Sequence, residues 1–230
     1  MVLAMFLAHL VGDYILQWDS LAAWKSRSLA GVLAHGSVVF LVTWLFSLPF
    51  NPGWWPGVVF IGSTHIFIDA VQLYVKPPIP ALFRFLLDQA AHLAIILLAL
   101  AAGGYLEISR LAADFAGMAH SERLMIILLG YAFITMPAWV IVKFAAYGLV
   151  DGRPPEFPGR TNKYLEILER ILMTTFVAFG QFLLVPLVIM PRLVSEWPDV
   201  AKREQTTHYL VELLASMTLA VIVGLLLRQI

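Results

Sequence analysis

Apolar residues fill this chain in runs of about twenty, parted by short stretches rich in proline, glycine and charge. At about 1.5 Å rise per residue, a helical run of that length crosses a bilayer core. The pattern predicts helices over residues 2–23, 29–48, 57–75, 81–101, 124–147, 164–190 and 209–227, with a kink at Pro137 in the fifth. Residues 103–123 carry Glu107, Arg110, Asp114 and His120, and read as a short interfacial helix or loop. Residues 151–163 and 192–207 read as polar loops. The uncharged loop 49–56 sets Trp54 and Trp55 at a membrane interface. The expected fold is therefore all-α, a polytopic transmembrane helix bundle of about seven spans. Residues 1–102 form a four-helix core, and residues 103–230 a polar connector followed by three further transmembrane helices.

Composition supports this reading. The 230 residues are 60% hydrophobic and only 13% charged, with a mean hydropathy of +0.84; a soluble domain carries about a quarter charged residues. The first run lacks a basic flank and a small-residue cleavage site, so it reads as a retained span. The absence of cysteine excludes disulfides, thiolate ligands and a cysteine nucleophile. Zero net charge argues against nucleic acid as a partner. With seven spans, ten basic residues fall nearer one face: Lys25, Arg27, Lys76, Arg84, Lys143, Arg153, Arg160, Lys163, Arg170 and Arg228. Five fall nearer the other: Arg110, Arg123, Arg192, Lys202 and Arg203. The bias puts the N-terminus outside and the C-terminus in the cytoplasm.

The candidate chemistry lies in the apolar runs. His65 and Asp69 are four residues apart, and so are Asp88 and His92. Each pair shares one helix face. The two pairs are mirrored across the turn Lys76-Pro77-Pro78-Ile79-Pro80, so antiparallel packing sets His65 against His92 and Asp69 against Asp88. His9, Asp13 and Gln17 repeat the spacing in the first helix, and His35 stands alone in the second. Counted from the expected cytoplasmic helix ends, these groups lie roughly 9–21 Å deep, in one layer. Ionisable groups inside a membrane are costly and mark function. His9, Asp13, His35, His65, Asp69, Asp88 and His92 are therefore the candidate ligands of a divalent metal, zinc first, with manganese or iron as alternatives. Seven ligands exceed the needs of one ion, so one or two ions fit. Gln17, Gln89 and Lys25 are expected to support the ligands. Asp13 or Asp88 is the candidate general base, and Arg84, one turn before Asp88, or Lys25 is a candidate anchor for an anionic substrate. His120, His208, Glu212 and Lys143 read as peripheral, and Glu169 and Arg170 as interfacial charges.

The same residues resemble a family of bacterial integral membrane proteins of unknown function, the domain family numbered 3307. The likeness rests on His9-Leu10-Val11-Gly12-Asp13-Tyr14-Ile15-Leu16-Gln17, Lys25, His35, His65-x-x-x-Asp69 and Asp88-Gln89-x-x-His92, over residues 5–100. It implies a bacterial inner-membrane location and names no activity. The His-x-x-x-Asp spacing is also similar to that of predicted membrane-bound metal-dependent hydrolases. The leading expectation is an intramembrane metal-dependent hydrolase that turns a metal-activated water on a lipid or membrane-embedded peptide. The alternatives are a divalent metal or proton transporter or channel, and a structural scaffold whose polar groups fix helix packing.

Overall fold

A computed structural model gives the fold; it describes residues 1–150, 152, 154, 155, 163–201 and 203–230. Arg153, Arg160, Lys202 and most of the expected loop 151–163 lie outside these residues. The described residues are helical and contain no strand. Among the described residues four helices are long and apolar enough to cross a membrane: α3 (Leu29–Ser47), α4 (Trp55–Tyr74), α5 (Ala81–Ala102) and, from Thr206 onward, α11 (Arg203–Arg228). A fifth results if α7 (Arg123–Ile134) and α8 (Met136–Val150) count as one span. The chain is an all-α membrane protein whose chain forms two compact units, residues 1–79 with 83–132, and residues 80–82 with 133–230.

In the first unit the expected first helix is not continuous. It comprises α1 (Val2–Leu10), a wider π turn over Val11–Ile15, and a separate seven-residue α2 (Asp19–Lys25). The π turn is closed by Leu16 N–H donating to the Val11 carbonyl. Gly12 lets the π turn lie close on α3, because a Cβ there would stand 3.2 Å from the Val39 Cα. Trp18 then turns extended (ψ 161°), and Asp19 opens α2 with its charge at the positive end of the helix dipole. Ser28 caps α3, its hydroxyl accepting from Gly31 N–H at 3.1 Å.

Glycines set the spacing of α3 and α4. A Cβ on Gly36 would overlap Ile66, and one on Gly62 would lie 2.6 Å from the Phe40 ring. Small residues let helices approach closely in lipid, where packing rather than water exclusion holds them. Met5, Trp54, Val58, Ile61, Ile96 and Leu100 close one end of the unit as a buried apolar core. Trp54 belongs to that core and packs edge-on to Tyr105, while Trp55 is exposed. The connector after α5 forms a 3-10 turn (Ile108–Arg110) and α6 (Leu111–Ser121).

The second unit differs from the sequence expectation in two places. The expected fifth helix breaks at Thr135, and Pro137 sits in the first turn of α8, where its missing N–H costs nothing. The expected sixth helix ends at Ala178 as α9 (Lys163–Ala178). Gly180 adopts φ 75°, and Gln181 N–H returns to the Phe176 carbonyl, a glycine-dependent helix stop. The chain resumes through a 3-10 turn (Phe182–Leu184) as α10 (Val185–Val200). Much of the expected loop 192–207 is thus helical, and its first residue, Arg192, is buried.

Candidate metal centre

Four helices, α1, α3, α4 and α5, and the π turn of the first unit bring the polar groups to one place. His9, Asp13, His35, His65, Asp69 and His92 are all buried. One turn separates His9, His65 and His92 from Met5, Ile61 and Ile96, so the apolar core seals the cluster on that side. The Gly36 and Gly62 contacts set the His35 and His65 rings 5.3 Å apart, and the turn between α4 and α5 sets His65 and His92 at 4.3 Å.

Two ligand groups share His65: Asp13 with His35 and His65, and His65 with Asp69 and His92. In the first, Asp13 Oδ1 lies 2.9 Å from His35 Nε2 and 3.7 Å from His65 Nε2, and the two nitrogens are 3.2 Å apart. Ligand atoms about 2.0–2.1 Å from a tetrahedral zinc stand about 3.3 Å from one another. Asp69 Oδ2 is 3.2 Å from His65 Nε2 and 3.7 Å from His35 Nε2. These buried groups could hold a metal ion.

The remaining expected residues take different positions. Asp88 stands behind His92: its Oδ1 lies 3.1 Å from Nδ1, which also faces the Asp88 carbonyl at 3.0 Å. His92 Nε2 is left buried with no hydrogen-bond partner. His9 and Asp88 fall outside the two ligand groups. His9 Nε2 faces the Gln89 side-chain oxygen at 3.3 Å, and the Gln89 amide nitrogen donates to Asp88 at 3.0 Å and to Asp13 at 3.4 Å. Gln17 places its amide 3.2 Å from His35 Nδ1. Both glutamines thus hydrogen-bond to histidine or aspartate side chains of the cluster. Arg84, by contrast, makes no hydrogen bond or ion pair with any described residue of the cluster.

Lys25, named from the sequence among the groups beside the ligands, reaches the cluster from an element the sequence did not show. Read as a loop residue, it instead ends α2 and reaches Asp69 Oδ2 at 2.9 Å and Asp13 Oδ1 at 3.7 Å. Gly31 makes this placement possible, because a Cβ there would overlap the Trp24 carbonyl. Burial works against the ammonium, but the Asp13 and Asp69 carboxylates outweigh it and hold its pKa above the ordinary lysine value. With the imidazoles neutral, three carboxylates against one ammonium leave the centre with two excess negative charges.

The second unit holds a polar group that sequence reading missed. Lys143 Nζ lies 2.8 Å from Glu212 and 3.5 Å from Glu166, and Glu212 also faces His208 Nε2 at 3.1 Å. Arg192 pairs with Glu169 at 3.0 Å. Arg170 is fully buried and donates to the Ile134 carbonyl and the Ser216 hydroxyl. These residues are neither peripheral nor interfacial. The available signal was spacing: Glu166, Glu169, Arg170, Met173, Thr174 and Val177 share the buried face of α9.

No curated protein and no solved structure matches the chain. A family model described as "Protein of unknown function (DUF3307)" matches residues 1–116, half of the 230 residues and all of the metal centre. The chain, with the His/Asp centre in its matched half, belongs to the DUF3307 family.

Proposed function

We propose that the protein is an intramembrane metal-dependent hydrolase acting on a lipid-phase substrate. The observation that carries this reading is the Asp13–His35–His65 group, with ligand-atom separations of 2.9, 3.2 and 3.7 Å inside an apolar bundle. Two His and one Asp make the open, three-ligand set of a catalytic zinc site, and one divalent ion balances the two excess negative charges. With its Oε1 turned toward Nδ1–H of His35, Gln17 would leave the Nε2 lone pair free for the ion.

When bound, the ion supplies Lewis acidity and a water of lowered pKa. This chain's own residues then provide a base. Asp88 holds His92 through Nδ1, so the unpartnered Nε2 is the acceptor for a proton from the attacking water. His92 therefore replaces Asp13 and Asp88 as the preferred base, and Asp88 becomes its positioning residue. Lys25, with 22% of its side chain exposed, offers a cation at the accessible edge. A groove of about 460 Å³ between α2 and α3, lined by Trp18, Ser20, Leu21, Trp24, Ala34 and Val38, suits an acyl chain. A channel or transporter is disfavoured by the apolar core that closes the far side of the cluster. The same reading places the centre in the cytoplasmic half of a bacterial inner membrane.

The test is to incubate detergent-purified, zinc-loaded protein with vesicles of bacterial phospholipid and identify released head groups or fatty acids by mass spectrometry. Release by the wild type, lost in His92→Gln with zinc retained, supports hydrolysis. A protein that retains no divalent ion, or one that retains it and releases nothing, overturns it.

A further inference from the structure

We infer that Lys25 stands in for a second metal ion, so that the centre takes one divalent cation on Asp13, His35 and His65 and keeps Asp69 as the partner of the lysine. This rests on the reading of the first ligand group as the metal site.

The two ligand groups overlap at His65 and together look like a two-ion centre. Their carboxylates are not equivalent. Asp13 Oδ1 has a near imidazole nitrogen at 2.9 Å and the lysine only at 3.7 Å. Asp69 Oδ2 has the lysine at 2.9 Å and its imidazole neighbours at 3.2 and 3.7 Å. A cation already sits on Asp69.

The position of that cation is built into the fold. Lys25 ends a separate short helix whose only buried residue is Leu21. That helix packs on α3 through Gly31, where any side chain would strike the Trp24 carbonyl. The ammonium is therefore delivered by backbone packing, at a place where a flexible surface lysine would not be held. Charge agrees: with Lys25 in place, one divalent ion brings the buried carboxylates to neutrality, whereas two would leave an excess of two positive charges in an apolar bundle.

The experiment is zinc titration of the full chain in detergent, with bound metal per chain read by mass spectrometry after dialysis. Wild type and Lys25→Arg should retain one zinc, and Lys25→Met two. Asp69→Asn should still retain one, and Asp13→Asn none. A wild type with two ions, a Lys25→Met protein with one, or an Asp69→Asn protein with none would each overturn the lysine assignment while leaving the metal site standing. A wild type with no zinc removes the metal site itself, and the assignment with it. The Asp69→Asn result decides the matter alone if Lys25→Met fails to fold.

Discussion

Each unit of this protein buries a set of charged side chains, and the two sets are built differently. In the second unit, among the described residues, Lys143 pairs with Glu166 and Glu212, Arg192 pairs with Glu166 and Glu169, and the buried Arg170 donates to a backbone carbonyl and to Ser216. In such a set, carboxylates find their partners in ammonium and guanidinium groups of the chain itself. In the first unit three carboxylates meet one lysine and four imidazoles, and one imidazole nitrogen has no partner. Residue type separates the two. Guanidinium and ammonium groups bring permanent charge, whereas neutral imidazole brings a lone pair that a cation can use. A buried charged cluster in a membrane is therefore a candidate site when its carboxylates outnumber its cations and imidazole lone pairs stand among them, and a strut when guanidinium and ammonium groups pair with its carboxylates.

This contrast can be broken experimentally. The largest expected effect is on the first centre. Asp13→Asn or His35→Ala should reduce zinc affinity by more than about 100-fold, beyond the loss typical of orienting groups, measured by competition with a fluorescent chelator. The second cluster should answer in stability instead. Glu169→Leu leaves Arg192 short of its nearest carboxylate and should cost about 3–5 kcal/mol, read from thermal unfolding in detergent. Zinc content should stay unchanged, and joint replacement of Glu169 and Arg192 by leucine should restore much of the loss. Zinc lost from Glu169→Leu while the protein remains folded would erase the distinction.

Gly36→Ala tests how the centre is assembled. The added methyl must displace Ile66, at about 1–3 kcal/mol for overpacking. It should also weaken zinc binding by parting His35 from His65. Gln17→Leu is the mildest change. It keeps the ligands and removes only the orienting amide, so zinc affinity should fall about 10–100-fold with the fold intact. Topology supplies an independent check: a reporter fused after Ile230 should be active in the cytoplasm and silent outside.

Much of the centre was legible in the sequence because it rests on local periodicity. His65 with Asp69 and Asp88 with His92 are each four apart, and a proline-rich turn between two helices forces the antiparallel return that sets His65 against His92. Polar residues in apolar runs have few compatible positions, which is also why Gln17 and Gln89 could be assigned as supports. The helices α3, α4 and α5 were equally clear, since their ends coincide with a serine cap or with proline.

What only the tertiary structure decided turns on breaks and close approaches. The π turn at Val11–Ile15 and the extended Trp18 carry no strong breaker, yet they cut the first helix and swing Lys25 into the centre. Gly12, Gly31, Gly36 and Gly62 read in sequence as weak helix formers; their function is to admit a specific neighbour, and which neighbour depends on packing between helices. The second cluster depends on pairing across α8, α9, α10 and α11, at separations as large as 69 residues between Lys143 and Glu212. Periodicity fixes which face of a helix is polar. It cannot fix which other face that side chain meets, because that is set by the packing of whole helices against one another.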